Sequence, residues 1–138
     1  MRALQAAVVA LFLFALSGPA RAQFAECKGA SRPQQVAELI FGRSVGGRIE
    51  VSDEQWMLFV DNEITPRFPD GLTVFEAVGQ WREQKSNRII REPSKIVLIV
   101  LPGKAEDIAR LNEVVEIYKR SFRQQSVGLI LRPSCVLF

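Results

Sequence analysis

The sequence reads Ile-Val-Leu-Ile-Val-Leu from Ile96 to Leu101 and is then interrupted by Pro102-Gly103. A short apolar run rich in β-branched residues and bounded by turn residues is typical of a strand inside a sheet. We therefore expect a strand here that is buried on both faces.

The segment after this strand predicts a helix and a last strand. Ala105 to Phe122 carries apolar residues at helical spacing, which predicts an amphipathic helix with the stripe Ile108, Leu111, Val115, Tyr118 and Phe122. Ser126 to Leu131 is an apolar strand. Whether it continues past Pro133 towards Phe138 is left open.

The segment before it predicts two strands around another helix. Val36 to Arg43 reads as the first strand, and Leu72 to Trp81 as the second, introduced by the turn Pro69-Asp70-Gly71. Between them, Ser52 to Gln55 fits a capping box, with Ser52 as N-cap and Gln55 at N3. The helix that follows has the apolar residues Trp56, Phe59, Val60 and Ile64 and ends at Pro66.

The order βαββαβ predicts a ferredoxin-like α+β fold, with two helices on one face of a four-stranded antiparallel sheet. Its first and last strands are neighbours, so Cys27 and Cys135 would lie close together. They are the only cysteines in the chain, and we expect them to form a disulfide.

Residues 1–22 have the pattern of a secretory signal peptide. Arg2 precedes an apolar stretch from Leu4 to Leu16, and Ala20-Arg21-Ala22 fits the cleavage rule. A membrane anchor would need a longer apolar run, and a lipoprotein would not have Glu26 directly before its cysteine. We expect a periplasmic or secreted bacterial protein, outside the membrane after cleavage, with an N-terminal segment at 23–35 and one domain at 36–138.

Charge and motifs exclude several function classes. Cleavage would leave 16 basic against 15 acidic residues, without a basic patch for nucleic acid. The glycine-rich segment 42–47 lacks the Gly-Lys-Ser/Thr ending of a P-loop, no Gly-x-Ser-x-Gly is present, and the chain has no histidine. Neither a metal site nor a cofactor is predicted.

The helix-free face of the predicted sheet is too apolar to be left to water. We expect another chain or a ligand to cover it, and a homodimer with facing sheets, the dimeric α+β barrel, is the arrangement that we favour. Alternate residues of a strand point to the same face of a sheet. We place on one such face Val36, Ile40, Val74 and Val78, together with Glu38, Glu76, Gln80 and either Lys95 or Glu92. Carboxylates and a cation in such a cavity could act as acid and base, or pair at a sheet edge or dimer seam.

Several motif strings in the chain are distinctive. The longest is Thr65-Pro66-Arg67-Phe68-Pro69-Asp70-Gly71-Leu72-Thr73, and the others include Phe41-Gly42-Arg43, Gly79-Gln80-Trp81-Arg82, Arg91-Glu92-Pro93-Ser94-Lys95, Tyr118-Lys119 and Phe122-Arg123-Gln124-Gln125-Ser126-Val127. These strings resemble domain of unknown function family 3574, which consists of small exported bacterial proteins. The resemblance spans nearly all of the chain after the signal peptide and implies export and these fold boundaries, but no reaction.

Polar residues inside these strings are the candidate ligand-binding residues. A hairpin would bring the second and third strands together, so Arg67, Trp81, Arg82, Glu92 and Lys95 could form a rim for a small carboxylate or phosphate, with Gln80 and Tyr118 nearby. The alternative is an ion-pair network that only holds the hairpin together.

Three functions stay open. The first, which we favour, is a domain that binds a small ligand, for which a small anion is one candidate, or a partner chain, without catalysis. The second is an enzyme with Glu92 or Glu76 as base, Arg67 as anion clamp and Tyr118 as acid. The third is a purely structural protein of the cell envelope.

Overall fold

The computed structural model describes residues 27–49, 51–84 and 86–138, without the side chain of residue 49. The signal-peptide prediction concerns residues outside these ranges. The elements in chain order are β1 (Arg32–Gly42), β2 (Ser44–Val45), β3 (Arg48–Ile49), α1 (Asp53–Phe59), a π-helical segment (Val60–Ile64), β4 (Thr73–Arg82), β5 (Ile89–Leu101), α2 (Asp107–Phe122) and β6 (Gly128–Val136).

The ferredoxin-like α+β fold is confirmed. The sheet order is β4-β5-β1-β6, and all neighbours are antiparallel. The helices cover one face, where Phe41 of β1 packs edge-to-face against Trp56, Phe59 and Tyr118 at ring-centroid distances of 5.2, 5.9 and 4.7 Å. Aromatic pairs at these distances contribute beyond their buried area.

Two strands begin earlier than predicted because their neighbours supply partners. β1 begins at Arg32, which pairs with Val136 of β6, so residues 32–35 of the predicted N-terminal segment belong to the sheet. β5 begins at Ile89, which pairs with Arg82. Pro93 is tolerated within β5 because the Arg43 carbonyl, which would otherwise lack a donor there, accepts a hydrogen bond from the Val51 N–H at 3.2 Å, while the Arg43 N–H donates to the Pro93 carbonyl at 3.1 Å.

The prediction that β5 is buried on both faces is wrong. Val97, Ile99 and Leu101 point to the helices and are buried, whereas Ile96, Leu98 and Val100 are only half-buried. The reason is that helices cover one face alone. The strand β6 does continue past Pro133, as an edge strand can.

The predicted glycine-rich loop contains a small hairpin. β2 and β3 pair across Gly46 and Gly47, whose φ angles are +58° and +83°. Two positive φ angles in a two-residue hairpin turn are typical of a type I′ turn, which favours glycine.

The predicted disulfide is present. Cys27 and Cys135 are bonded, with their Cα atoms 5.4 Å apart. Such a bond is compatible with a secreted or periplasmic protein. Within the described ranges, no helix has the length and apolar character that spanning a membrane requires.

Candidate functional site

Tyr118 lies in the core rather than at a surface site. Its side chain is fully buried, and its hydroxyl donates a hydrogen bond of 2.9 Å to the carbonyl of Gly42. Burial raises the pKa of Tyr118, and the nearby Glu92 charge raises it further against the opposing effect of Arg43. The hydroxyl is therefore held protonated and away from solvent, which fits a structural role.

Lys95 lies on the helix-covered face in a cluster of ion pairs. Its ammonium contacts the carboxylate of Glu76 and lies 3.5 Å from that of Asp53. Asp53 also pairs with Arg43 at 2.8 Å. The two cations are buried beneath two largely exposed carboxylates, so the cluster ties the start of α1 to the sheet.

Arg67 lies in the helical layer. Its guanidinium bonds the Glu63 carboxylate at 3.0 Å, the Glu63 carbonyl at 2.7 Å and the Glu113 carboxylate at 3.2 Å. These contacts join the end of the π-helical segment to α2. They leave the guanidinium charge neutralised by two acids.

Three predicted residues lie near the β4–β5 connection. Arg82 is exposed and bonds the side chain of Asn87 at 3.0 Å. Gln80 is exposed and points to the same face of the sheet as Glu76. Trp81 is 47% exposed and points to the helix-free face.

The predicted rim of five residues does not assemble. Successive side chains of a strand point to opposite faces, so Lys95 faces the helices while Glu92 and Trp81 face away from them. Arg67 contacts α2 and not the hairpin. What the five residues bind stays a prediction, but they do not form one rim.

The parity assignment across strands also needs correction. β5 lies between β1 and β4, and Val97 pairs with both Leu39 and Val74. Glu76 is therefore on the helix side, whereas Glu38 is on the helix-free face, where it pairs with Arg132. The residues grouped together within each strand do share a face. Which groups of neighbouring strands share a face depends on the register between the strands, and that register could not be derived from the alternation.

Glu92 is the exceptional polar residue of the helix-free face. It is half-buried, and its carboxylate oxygens would lie 3.1 and 3.2 Å from a Cβ placed on Gly42. It accepts one long hydrogen bond, 3.3 Å, from the backbone N–H of Ser44. Within the described part of the chain it has no ion-pair partner.

A stripe of small residues surrounds Glu92. Gly42 pairs with Ser94, Ser94 with Ala77, and Glu92 with Gly79, so four small residues meet on this face across three strands. A Cβ on Gly79 would approach the Ser94 hydroxyl to 2.9 Å. Ile40, Ile96 and Phe75 follow on one side of the stripe, and Trp81 stands on the other.

Sequence reasoning missed Gly42, Gly79, Ser94 and Arg43. The signal that could have identified the stripe is the clustering of small residues in otherwise bulky strands, since glycine in a strand often marks close approach. Using that signal would have required the register of β5 against both neighbours.

Two clefts lie elsewhere on the surface. One, of about 260 Å³, lies between α2 and the helical stretch formed by α1 and the π-helical segment, and its lining includes Phe59, Ile117 and Phe122. Another of about 830 Å³ lies at the sheet end near the C-terminus and includes Arg32, Gln35 and Gly103. Neither is lined by a predicted ligand-binding residue. In the described ranges, no group of three or more acidic, cysteine or histidine side chains could hold a metal.

Solved structures with a similar fold include a phage SAM lyase. Its complex with S-methyl-5'-thioadenosine is 18% identical, with a TM-score of 0.57 over 80% of this chain and 92% of that chain. The same lyase in its apo state is also 18% identical, with a TM-score of 0.57 over 73% of this chain and 81% of that chain. At this identity the likeness concerns the fold alone.

No curated protein matches the chain. The family model described as "Protein of unknown function (DUF3574)" matches residues 36–138, which is most of the sequence. The match agrees with the resemblance carried by the motif strings. The chain therefore belongs to this family of proteins of unknown function.

Proposed function

We propose that this protein binds a small molecule that offers hydrogen-bond donors or a positive charge to Glu92 on the helix-free face. The observation that carries the proposal concerns the Glu92 carboxylate, which is half-buried and, among the described residues, accepts a single hydrogen bond, from the Ser44 N–H at 3.3 Å. A partly buried charge without a partner is costly. A bound cation or hydroxyl pair would supply the charge-assisted hydrogen bonds that it lacks.

The surroundings of Glu92 favour a ligand with a flat apolar part. Phe75 and Trp81 share its face and are 48% and 47% exposed. Their rings offer stacking surfaces on either side of a stripe whose small side chains leave room above the backbone. An aromatic ring carrying hydroxyl or amino groups would use both features.

Nucleosides have this combination, and the ligand of the similar phage structure is one. We therefore choose S-methyl-5'-thioadenosine and SAM as first probes. The first is neutral at its sulfur and the second carries a sulfonium charge. Because SAM also carries an amino acid group, equal binding of the two would indicate that the shared nucleoside part is enough, and tighter binding of SAM would indicate that its additional charged groups contribute.

Anion binding by the predicted rim residues has less support. The basic side chains predicted to hold an anion have acceptor partners: Arg67 has Glu63 and Glu113, and Lys95 has Glu76 and Asp53. Arg82 bonds Asn87. An anion would have to displace these acceptors.

The test compares the exported wild-type protein with Glu92→Gln, which keeps the size of the side chain and removes its charge. Glu54→Gln is the matched control, because Glu54 is an exposed acid in the first turn of α1. Native mass spectrometry would detect a retained molecule, and calorimetric titration would measure affinity for the two probes. We expect Glu92→Gln to weaken binding at least about tenfold, the effect of losing one charged hydrogen bond.

Two results would contradict the proposal. One is a wild-type protein that retains no molecule and binds neither probe. The other is equal binding by the wild-type protein, Glu92→Gln and Glu54→Gln.

A second candidate function is catalysis at the same residue. An unpaired carboxylate beside a ligand can act as a general base, and the phage protein of similar fold is described as a lyase. Tyr118 would not serve as the acid, because its hydroxyl is buried behind Gly42. Turnover that Glu92→Gln abolishes while the affinity remains would favour the enzyme over the binding protein.

Export belongs to the same proposal. The signal pattern at residues 1–22 and the Cys27–Cys135 disulfide support it together. The intact mass of the purified protein should correspond to a chain that begins at Gln23 and contains an oxidised cysteine pair.

A further inference from the structure

The edge strand β4 is exposed on both faces. Among the strands that the structure describes, β5 is its one neighbour in the sheet, and eight of the ten residues of β4 are exposed. Four of these are large and apolar: Val74, Phe75, Val78 and Trp81 are 37%, 48%, 75% and 47% exposed. A long edge strand with apolar side chains on both faces is a template for pairing with another chain.

The opposite edge is protected and β4 is not. β6 contains Pro133, which removes a backbone donor, and is tied to the N-terminal segment through Cys135. β4 contains neither proline nor lysine, and its ten consecutive pairs with β5 leave no bulge. Proline, lysine and bulges are the usual devices that prevent edge pairing.

We propose that two copies of this protein pair antiparallel through β4, with Gly79 of each copy on the two-fold axis. This interaction does not depend on the proposed ligand. It joins the two four-stranded sheets into one and satisfies the outward backbone groups of both edges. The occupant of the edge is thus a second copy of the chain.

Charge complementarity selects this register. Glu76 and Arg82 are the only charged residues of β4, and pairing centred on Gly79 places each opposite the other in the partner. Centring on Val78 instead places Glu76 opposite Gln80 and Arg82 opposite Val74, so neither charge gains a partner. Opposite charges directly across a strand pair are stabilising.

Size complementarity agrees with the same register. Trp81 of the partner subunit stands opposite Ala77, and Gly79 stands opposite Gly79. The large ring therefore meets a small residue, on the face that carries Glu92. A dimer with facing sheets uses a different surface, since there the helix-free faces would pack together and the β4 edge would stay unpaired.

The first experiment measures mass in solution by sedimentation or light scattering, on the exported, disulfide-bonded protein. Val78→Lys places a charge at the centre of the edge, at a position 75% exposed, so folding should be unaffected. Met57→Lys on α1, at 58% exposure, is the matched control. We expect dimers for the wild-type protein and Met57→Lys, and at least tenfold weaker association for Val78→Lys. A wild-type monomer, or a dimer that Val78→Lys leaves intact, would overturn the proposal.

The second experiment tests the register. In the proposed pairing, residue 78 of one copy lies opposite residue 80 of the other, where two cysteines are within bridging distance. A mixture of Val78→Cys and Gln80→Cys should form covalent dimers under mild oxidation, while each variant alone should not. Covalent dimers from Val78→Cys alone would mean that the axis passes through residue 78, which overturns this register.

Discussion

Gly42 separates two residues that sequence reasoning had grouped together. The Tyr118 hydroxyl bonds the Gly42 carbonyl from the helix side, and the Glu92 carboxylate lies over the Gly42 Cα position on the other face. One backbone position therefore has a buried phenol on one side and a half-buried acid on the other. Only the acid is placed where a ligand could reach it.

Because the hydroxyl of Tyr118 is buried, we expect the free energy of unfolding to fall at alkaline pH. Burial raises its folded-state pKa above the ordinary value of 10.0. The unfolded chain releases the proton first as the pH rises, so the contribution of Tyr118 to stability is complete below about pH 10 and is lost progressively above it.

This effect can be measured directly because the chain has a single tyrosine. In an alkaline titration we expect phenolate absorbance to appear only as the protein unfolds. Tyr118→Phe should lower the free energy of unfolding at neutral pH by about 1 to 2 kcal/mol, the contribution of one buried hydrogen bond. It should also reduce the fall in stability above pH 10. A phenolate that titrates near 10 in the folded protein would contradict this account.

At the scale of elements, the first helix changes its winding to reach the core. α1 gives way to the π-helical segment at Val60, and the Thr65 N–H bonds the Val60 carbonyl five residues back at 2.9 Å. The wider turn lets both Phe59 and Ile64 be buried, while Val60 is only half-buried. The predicted stripe of Trp56, Phe59, Val60 and Ile64 assumed uniform α-helical spacing.

The capping box should matter because α1 is only seven residues long. The Ser52 hydroxyl accepts from the Gln55 N–H at 3.1 Å, and the Gln55 side chain accepts from the Ser52 N–H at 2.9 Å. We expect Ser52→Ala to lower the free energy of unfolding by about 1 kcal/mol, measured by urea denaturation. Ser121→Ala, an exposed position within α2, is the control and should have little effect. Equal effects of the two substitutions would argue against the cap.

At the scale of the whole molecule, the disulfide closes almost the entire described chain. Cys27 and Cys135 are 108 positions apart and join the segment before β1 to β6. In the chain-entropy model a loop of this length reduces the entropy of the unfolded state considerably. The bond therefore stabilises a small domain whose helix-free sheet face is open.

Replacing both cysteines tests this contribution. We expect Cys27→Ser/Cys135→Ser to lower the free energy of unfolding by about 2 to 4 kcal/mol. Denaturation should be compared with that of the oxidised wild-type protein, and with wild-type protein under reductant as the matched control. A double variant as stable as the oxidised protein would show that the loop closure contributes little.

Local sequence patterns were enough to predict the main helices and strands and their order along the chain. The β-branched run before Pro102, the capping box at Ser52 and the helical spacing on α2 depend on neighbours in sequence, so one chain contains that information. The predicted stripe on α2 was wrong at Ile108, which is exposed, and it missed Val114, which is buried. The disulfide was predicted from the presence of two cysteines in a chain with an export signal, and the topology that the order implied is consistent with it. Strand ends at Arg32 and Ile89 were missed because pairing partners far along the chain extend these strands.

Sequence alone thus determined the fold class and the cysteine pair, and it supplied a set of candidate binding residues that includes Glu92. Only the tertiary structure decided which of them share a face. Side chains alternate with a period of two, so the register of β5 between β1 and β4 separated Lys95 from Glu92 and Glu76 from Glu38. That register results from the packing of Phe41, Val97 and their partners beneath the helices, a set of contacts between distant residues that no local pattern specifies.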